Sequence, residues 1–342
     1  MSDRVIIIAE AGVNHNGDLN LAKKLIDVAA ESGADYVKFQ TFKTEKLVSQ
    51  FAKKSVYQIQ QLTNEDDLQF SMLKNLELTK SAHHELIKHA NEKGIAFLST
   101  AFDEESIDLL DELGIPFFKI PSGEITNLPF LEYVAYKGKP IVLSTGMSTL
   151  EEVKEAIGIL RKNGVKKEDL IVLHCTTEYP TPFIDVSLGA MNLIKEQCDV
   201  KVGYSDHTLG IEVAIAAVAR GAVLIEKHFT LDKSLPGPDH KASLDPDELF
   251  KMVQGIRNIE CALTGNNKKE PTSAELENRK VARKSVHSRT NLPKNHRLVK
   301  DDLIMLRPGD GISPMKIDQI IGKKLVHDIE TEHKLNFNDL CE

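Results

Sequence analysis

Residues 221–243, GAVLIEKHFTLDKSLPGPDHKAS, decide the fold. The apolar run at 222–225 predicts a buried β-strand. The ionisable residues Glu226, Lys227 and His228 follow it at once. Because a buried parallel strand is apolar on both faces, ionisable groups are tolerated where it ends, and there they usually face a cavity. The stretch therefore predicts the last strand of an α/β domain, with a ligand site at its carboxyl end.

A loop rich in proline and glycine follows this strand. Pro236, Gly237 and Pro238 predict a turn, because proline and glycine favour the backbone angles that turns require. Such a turn returns Asp239 and His240 towards the end of the strand. We expect the loop to form one wall of the same pocket.

The rest of the chain repeats one pattern, a short β-branched run followed by a polar corner and a longer amphipathic stretch. This alternation is typical of a parallel sheet covered by helices. The predicted strands cover residues 5–9, 36–39, 96–99, 117–120, 141–144, 170–174, 200–204 and 223–225. Eight such units are the number in a (β/α)8 TIM barrel, whereas an open doubly wound sheet requires no such count. We therefore predict an α/β TIM barrel that ends with a helix at 246–263.

The composition changes after the barrel. Residues 44–67 predict an insertion of loops and short helices over the strand ends, and the polar residues 266–280 predict a linker. From residue 281 onwards short β-like runs such as 284–290, the corner LRPGDGISP and a helical stretch at 314–321 predict a second domain. We expect a catalytic barrel over residues 1–265, a linker over 266–280 and a small domain over 281–342. The small domain is too small for the main site but can lend it a side chain.

The charge and the cysteine content exclude several classes of protein. The 342 residues include 43 Lys and Arg against 51 Asp and Glu, a formal charge of −8, which argues against a nucleic-acid partner. No apolar run is long enough for a signal-peptide core or a membrane span, so we expect a cytoplasmic protein without a membrane partner. The four cysteines, at 175, 198, 261 and 341, are irregularly spaced and predict reduced thiols.

Cationic and hydroxyl side chains lie near the ends of several predicted strands. These residues are Lys38, Lys119, Ser122, Ser144, Thr177 and Ser205. Ammonium and hydroxyl donors beside glycine-bearing corners suit a phosphate, or a phosphate together with a carboxylate. A single lysine at a strand end is more often a solvated surface group. Their coincidence at one edge favours a functional anion site.

Two histidines, His207 and His228, end neighbouring strands. Neutral imidazoles suit divalent transition-metal ions, and two protein ligands leave positions for water and a substrate oxygen. The spacing alone equally allows two structural histidines, because neither an HExxH pattern nor a cysteine cluster accompanies them. Glu226 and Asp239, nearby, can act as a base or bind hydroxyl groups.

Taken together, these motifs resemble one family. The motifs are AEAGVNHNG, VKFQTF, KIPSGE, LSTGMST, LHCTTEYPTP, GYSDHTLG, IEKHFTLDKSLPGPDH and, in the small domain, ARKS and RPGDGISP. They occur in the order found in the sialic acid synthase family, which carries a C-terminal antifreeze-like (SAF, β-clip) domain, and they span nearly the whole chain. The resemblance implies a transferase that condenses phosphoenolpyruvate with an N-acyl aminohexose to give a nine-carbon 2-keto sugar acid and phosphate. It also implies a domain-swapped homodimer.

The resemblance also implies a role for each matching residue. Phosphoenolpyruvate would be bound by Lys38, Lys119, Ser122, Ser144, Thr177 and Ser205. A divalent metal, Mn with Mg or Co as alternatives, would be bound by His207 and His228. The catalytic residues would be Glu226, as the base for the attacking water, with Glu10 and Lys38. The sugar would contact Glu10, Gln40, Tyr179, Asp239 and, acting in trans from the partner subunit, Arg307.

The acceptor sugar is the least determined part of this interpretation. We favour N-acetylmannosamine, which gives N-acetylneuraminate. The alternative is N,N'-diacetyllegionaminate synthesis from 2,4-diacetamido-2,4,6-trideoxymannose, because the CTTEYP stretch around Thr177 and Glu178 varies in relatives of both kinds. A pyruvate-dependent aldolase and a noncatalytic sugar-binding protein are further alternatives. The phosphate-suited lysines argue against the first, and the intact Glu226 argues against the second.

Overall fold

The structure, a computed structural model, describes residues 4–54, 68–265 and 268–342. It forms two compact units, Met1–Thr264 and Gly265–Glu342. Of the insertion predicted at 44–67, the structure describes residues 44–54, which contain a short helix, Thr44–Leu47. Residues 55–67 of that prediction lie outside the described residues.

The strands of the first unit close into a barrel. In chain order they are β1 (Ile6–Gly12), β2 (Tyr36–Thr41), β3 (Ala96–Ala101), β4 (Phe118–Ile120), β5 (Ile141–Ser144), β6 (Leu170–His174), β7 (Lys201–Asp206) and β8 (Leu224–His228). Each pairs in parallel with the next, and β1 also pairs in parallel with β8. The predicted TIM barrel is therefore confirmed within the described part of the chain.

Helices connect the strands and cover the outside of the barrel. They are Leu19–Ser32, Gln69–Lys74, Lys80–Lys93, Glu104–Glu112, Leu128–Tyr136, Leu150–Lys162, Gly189–Cys198, Glu212–Ala219 and Pro246–Leu263. The sequence fixes several of their ends locally. The Asp18 carboxylate accepts hydrogen bonds from the first backbone amides of Leu19–Ser32, and Gly33 ends that helix in the left-handed conformation. The final helix begins at a capping box formed by Asp245 and Glu248.

The last two barrel strands extend further than their apolar residues predict. The predictions that β7 ends at residue 204 and β8 at residue 225 are wrong. The pairs Ser205↔Glu226 and Asp206↔Lys227 continue the ladder between these strands. Backbone pairing does not require apolar side chains, so polar residues that face a cavity can remain part of a buried strand.

The second unit has its own small core. Its strands are β9 (Ser285–Ser288), β10 (Leu303–Leu306), β11 (Lys324–Leu325) and β12 (Leu340–Cys341), paired antiparallel as β9 with β10 and β11 with β12. The stretch predicted as helical at 314–321 is a 3-10 segment, Pro314–Gln319. The buried apolar side chains of this core are Val286, Leu292, Leu298, Leu303, Ile312, Ile320, Leu325, Ile329 and Leu335.

The predicted linker is partly helical. Residues 266–267 lie outside the described residues, but helix Ser273–Ala282 occupies the end of the segment predicted as linker. It begins at a capping box in which the side chains of Thr272 and Glu275 bond each other's backbone amides. The T-x-x-E pattern indicates the start of a helix. Polarity alone predicts a linker here, whereas this pattern predicts the helix that the structure shows.

Gly203 in β7 tests how tightly the barrel is packed. A β-carbon there would collide with the carbonyl oxygen of Leu224 and lie 2.6 Å from Cδ2 of Leu173. We expect Gly203→Ala to lower the free energy of unfolding by about 1–3 kcal/mol, because overpacking forces neighbouring strands apart. Urea unfolding of the full chain measures this change.

Gly158→Ala is the matched control. Gly158 lies exposed within helix Leu150–Lys162, and a β-carbon there meets no atom within 4 Å. Alanine should stabilise this helix by about 0.5–1 kcal/mol, since it restricts the unfolded chain more than glycine does. Equal stability of the two variants would contradict the tight strand packing at Gly203.

Candidate active site

One cavity of about 400 Å³ lies at the carboxyl ends of the barrel strands. All sequence-predicted site residues of the barrel line it: Glu10, Lys38, Gln40, Lys119, Ser122, Ser144, Thr177, Tyr179, Ser205, His207, Glu226, His228 and Asp239. The remaining predicted site residue, Arg307, follows β10 in the second unit. The barrel therefore brings the predicted residues together, while the role of each stays a prediction.

Strand register places the charged residues side by side. Glu10 of β1 pairs in the ladder with Lys38 of β2 and with His228 of β8. Because side chains alternate along a strand, Glu226 and His228 line the same cavity while the intervening residue faces the opposite side. The order of residues along each short strand thus determines which groups meet.

Two lysines and two glutamates form a buried charge cluster at the base of the cavity. Lys38 Nζ lies 2.7 Å from Glu10 Oε2 and 3.5 Å from Glu226 Oε2. Lys119 Nζ lies 3.6 Å from Glu226 Oε1. Ser205 Oγ donates a hydrogen bond of 2.9 Å to that same oxygen. Each buried charge has an opposite charge beside it, as buried ionic groups require.

The two glutamates have opposite pKa shifts. Burial raises the pKa of Glu10 to about 7, against the opposing effect of Lys38. Burial also acts to raise the pKa of Glu226, but the charges of Lys119 and Lys38 outweigh it and lower that pKa to about 2. Glu226 is therefore ionised at neutral pH, whereas Glu10 changes its protonation near neutral pH. A pair of carboxyls with separated pKa values is typical of acid–base sites.

The two histidines predicted as metal ligands lie close together at the cavity. His207 Nδ1 donates a 2.6 Å hydrogen bond to the Thr176 carbonyl oxygen, an assignment that leaves the lone pair on Nε2. The ring centroids of His207 and His228 lie 5.6 Å apart, and His228 Nδ1 lies 3.9 Å from Asp239 Oδ2. Burial lowers the pKa of both imidazoles, which keeps them neutral. Neutral imidazoles with free lone pairs are able to bind a divalent metal.

A tight corner between β5 and β6 positions two of the predicted hydroxyls. The Gly146 amide donates a 2.9 Å hydrogen bond to Ser122 Oγ. A β-carbon on Gly146 would collide with Thr177 Oγ1 and would also lie 2.9 Å from Ser122 Oγ. Only glycine therefore lets the backbone approach both hydroxyls this closely.

Four buried polar atoms of residues lining the cavity have no hydrogen-bond partner in the described chain. They are Glu10 Oε2, Thr177 Oγ1, Glu226 Oε2 and His228 Nδ1. The two glutamate oxygens have Lys38 beside them as an ion-pair partner. Buried polar atoms in folded proteins are almost always hydrogen-bonded, so Thr177 Oγ1 and His228 Nδ1 indicate a site that is completed by a polar ligand.

The sequence analysis missed two parts of the cavity. Thr100 of β3 accepts a 2.8 Å hydrogen bond from Lys38 Nζ and lines the cavity. The hydroxyl of its neighbour Ser99 instead forms a hydrogen bond with the hydroxyl of Thr41. Successive side chains of a strand point to opposite faces, so which of the two residues lines the cavity depends on the residue at which the strand starts. The second missed part is an apolar wall, defined as Val13, Leu47, Val48, Met72, Leu73, Leu76 and Phe102. Five of these seven residues lie in the segment between β2 and β3, in or next to the short helices Thr44–Leu47 and Gln69–Lys74, which have no strong periodicity in the sequence.

Lys227 does not face the cavity, although the sequence groups it with Glu226 and His228. Its side chain is fully buried and its Nζ lies 2.7 Å from Asp206 Oδ2 and 2.8 Å from the Thr208 carbonyl oxygen. Asp206 and Lys227 precede His207 and His228 respectively, so this ion pair joins β7 and β8 at the residues next to both histidines in the sequence.

No helix in the described ranges is both long and apolar enough to cross a lipid bilayer.

A barrel with buried acid, base and imidazole groups at the carboxyl ends of its strands defines an α/β enzyme. Comparison with known families makes this specific: the chain belongs to the NeuB family, whose model matches residues 25–269, and residues 283–332 match the SAF domain. The resemblance to sialic acid synthases is thereby confirmed, and the chain is an enzyme of the sugar-acid synthase type.

Individual relatives are similar over nearly their whole length. The chain is 53% identical to the N,N'-diacetyllegionaminic acid synthase of Campylobacter jejuni, over 94% of this chain and 95% of the relative. It is 51% identical to the enzyme of the same name from Legionella pneumophila, over 93% and 90%. The crystal structure of N-acetylneuraminic acid (sialic acid) synthetase from Leptospira borgpetersenii is 37% identical, covers 80% of this chain and 90% of that chain, and has a TM-score of 0.70.

Replacing Lys227 tests the buried ion pair between Lys227 and Asp206. Lys227→Met leaves the Asp206 carboxylate buried without a cation, and we expect it to lower the free energy of unfolding by about 3–5 kcal/mol. Urea unfolding of the full chain measures the loss.

The control is the double variant Asp206→Asn with Lys227→Met. An amide oxygen at residue 206 can still accept the hydrogen bonds that Thr208 N–H and Oγ1 donate, of 2.9 and 2.8 Å. The double variant removes the unpaired charge, so it should be more stable than the single variant. If it is no more stable, the cost does not come from an uncompensated carboxylate.

Proposed function

We propose that this protein is an N,N'-diacetyllegionaminate synthase. It would condense phosphoenolpyruvate with 2,4-diacetamido-2,4,6-trideoxymannose, with consumption of water and release of phosphate. The observation that carries the choice of acceptor is the apolar wall facing the charged base of the cavity. The names of the two relatives at 53% and 51% identity support the same acceptor, and they favour the alternative of the sequence analysis over N-acetylmannosamine.

The apolar wall distinguishes the two acceptors by their substituents. The trideoxy sugar carries a methyl group at C6 and an acetamido group at C4, where N-acetylmannosamine has a hydroxymethyl and a hydroxyl. A methyl placed against aliphatic side chains gains about 0.8 kcal/mol per buried carbon. A hydroxyl placed there loses its hydrogen bonds to water without replacement. The wall therefore favours the acceptor with the fewer hydroxyls.

Phosphoenolpyruvate fits the polar base of the cavity. Lys38 and Lys119 would pair with its phosphate and carboxylate, assisted by hydroxyl donors from the strand ends. These are Thr100, Ser122, Ser144, Thr177 and Ser205, all of which line the cavity. The unpartnered Thr177 Oγ1 gains a hydrogen-bond partner in this arrangement.

The reaction forms one carbon–carbon bond and one bond from C2 to the oxygen of water, and it breaks the bond from C2 to the phosphate oxygen. C3 of phosphoenolpyruvate attacks the aldehyde carbon of the open-chain sugar, whose oxygen takes a proton and becomes a hydroxyl. Water then adds to the electron-deficient C2 and loses a proton. The resulting tetrahedral centre expels inorganic phosphate, which takes the proton of the C2 hydroxyl as C2 becomes the 2-keto group of the nine-carbon product.

Glu226 has the right charge state to take the proton from that water. It is ionised in the free enzyme because Lys119 and Lys38 lie beside it. When these lysines pair with the anionic substrate, their effect on Glu226 weakens and its pKa rises, which makes it a stronger base. Glu10, whose pKa is about 7, can donate a proton to the aldehyde oxygen at neutral pH.

His207 and His228 would hold a divalent metal, with Mn favoured and Mg or Co as alternatives. The fit rests on two neutral rings with lone pairs available and on His228 Nδ1, which has no hydrogen-bond partner in the described chain. The two lysines are balanced by two glutamates, so an anionic substrate needs further positive charge in the cavity. A metal held by these two histidines would supply that charge and Lewis-acid polarisation of the aldehyde.

Phosphate release tests the acceptor and the reaction class together. Purified protein treated with EDTA is supplied with phosphoenolpyruvate, Mn²⁺ and either acceptor sugar. We expect phosphate release to require added metal and to be at least about tenfold faster, as kcat/KM, with the diacetamido trideoxy sugar. Faster release with N-acetylmannosamine would make the protein an N-acetylneuraminate synthase. Product formation from pyruvate without phosphate would make it an aldolase.

Met72→Gln probes the apolar wall in the same assay. Met72 is half-buried and lines the cavity, and glutamine has a similar length with a polar end. We expect the ratio of kcat/KM between the two acceptors to fall by about 3–10-fold, because a polar side chain removes apolar contact with the deoxy sugar. The KM for phosphoenolpyruvate should not change, since its predicted ligands lie at the charged base.

Arg307 is proposed to complete the site of the partner subunit in a domain-swapped homodimer. The proposal rests on its match to the RPGDG motif of the resemblance. We expect Arg307→Ala and Glu226→Gln each to inactivate the enzyme, and mixtures of the two chains to recover up to about a quarter of wild-type activity through hybrid dimers with one intact site. Absence of recovery, with hybrid dimers present by mass spectrometry, would show that Arg307 acts in cis.

A further inference from the structure

Two histidines and an aspartate meet in the second unit, in a group that the sugar-acid synthase reaction does not use. His327, His333 and Asp339 can each offer one ligand atom, and these atoms all lie within 4.8 Å of one another. Among the described residues, this is the one group of at least three His, Cys, Asp or Glu side chains compact enough to hold a metal ion.

Backbone pairing brings these residues together. Strand β11 pairs with β12, and the next amide, that of Val326, donates a 3.0 Å hydrogen bond to the Asp339 carbonyl oxygen. His327 therefore lies beside Asp339. His333 is held by backbone hydrogen bonds of 3.0 Å, from the Ser288 amide to its carbonyl oxygen and from its own amide to Ser288 Oγ. The group is thus fixed by the fold and does not depend on chance contacts between long side chains.

Asp339 is the buried centre of the group. His333 Nε2 lies 3.1 Å from Asp339 Oδ2 and His327 Nε2 lies 3.5 Å from Asp339 Oδ1. The carboxylate is orientated by the Asn336 amide, which donates a 2.7 Å hydrogen bond to Oδ2. The His327 and His333 rings stand at 84° with centroids 6.1 Å apart. Both imidazoles therefore converge on one carboxylate, which has a backbone donor behind it.

We infer that His327, His333 and Asp339 form a binding site for a borderline divalent transition-metal ion such as Zn²⁺. Two imidazole nitrogens and one carboxylate oxygen are a common donor set for this class of ion, with water as the fourth ligand. The backbone amide of Asn336 donates a hydrogen bond to the Asp339 carboxylate, and such a bond usually orientates a carboxylate ligand of a metal.

The geometry requires only a small adjustment. Ligand atoms around a tetrahedral Zn²⁺ are separated by about 3.3 Å, as bond lengths of about 2.0–2.1 Å dictate. The separations in this group do not exceed 4.8 Å. The His327 side chain is 50% exposed, so a change of its rotamer can bring the ring closer without disturbing the core.

A metal in this position would link three segments of a small unit. Its core contains few buried apolar side chains, and domains of this size are often stabilised by a metal ion or a disulfide. The three ligands lie on the segment after β11, on the turn that contacts β9 and on the short 3-10 helix Phe337–Asp339. The metal would hold the C-terminal strand β12 against the rest of the unit.

A second His–Asp pair in the same unit provides a matched control. His296 Nε2 lies 2.8 Å from Asp302 Oδ2, and neither belongs to a group of three ligands in the described chain. His296→Ala and His327→Ala each remove one imidazole that contacts one carboxylate. The difference that matters for metal binding is that a second imidazole shares the carboxylate of Asp339.

The test is the number of Zn²⁺ ions bound by the full-length protein. Metal-stripped wild-type, His296→Ala and His327→Ala chains are titrated with Zn²⁺ alone, in competition with a chromogenic chelator. The barrel histidines are the same in all three chains, so their contribution cancels. We expect wild type and His296→Ala to bind one equivalent more than His327→Ala, with an affinity loss at the second-unit site of at least about 100-fold.

A second variant and a thermal measurement guard against misfolding. Asp339→Asn keeps an acceptor for the Asn336 amide but removes the charge, and it should weaken the same equivalent of Zn²⁺. Zn²⁺ should raise the melting temperature of the His296→Ala chain more than that of the His327→Ala chain. Equal stoichiometry in the His296→Ala and His327→Ala chains would overturn the proposal, because the three side chains would then be only a hydrogen-bonded cluster.

Discussion

The buried charge cluster of Glu10, Lys38, Lys119 and Glu226 is the constraint on which the rest of the barrel depends. Each of these groups would be strongly unfavourable alone in the interior, and each is tolerated because an opposite charge lies beside it. Replacing both members of a buried ion pair with well-packed apolar residues is often neutral or stabilising, so stability alone does not explain why four charges occupy a barrel core. We interpret their arrangement as a binding site in which Lys38 and Lys119 give up their ion pairs with Glu10 and Glu226 and contact an anionic substrate instead.

This exchange links binding to catalysis. In the free enzyme the lysines hold the pKa of Glu226 far below its usual range, which makes it a weak base. In the proposed reaction, an anion that draws the lysines away raises the pKa of Glu226 when a base is needed. The pKa of Glu10 moves in the same direction, because Lys38 opposes the burial and the Glu226 charge that raise it to about 7. One cluster thus sets the protonation of both carboxyls.

The sequence predicts the barrel and its polar base well, because both follow from strand periodicity. Eight short runs with polar ends predict the parallel barrel, and the parallel ladder then places Glu226 and His228 on the same side. Side-chain direction is harder to predict. A one-residue change in register exchanges the two faces, so the sequence alone does not separate inward Thr100 from outward Ser99, or His228 from Lys227. The helix at 273–282 is hard to predict for another reason. It has no buried residues and lies in a polar segment, so no apolar periodicity marks it and only its capping box does.

The apolar wall shows why the acceptor is harder to predict than the reaction. The residues proposed to bind phosphoenolpyruvate come from strand ends, where the hydrogen-bonded ladder of the barrel fixes their positions. Met72 and Leu73 lie in the short helix Gln69–Lys74 and Leu76 follows it, outside the strands of the barrel ladder. Substitutions in such segments change the shape and polarity of the cavity without disturbing the charged cluster. The barrel can therefore keep one condensation chemistry while its connecting segments determine which sugar reaches the aldehyde position.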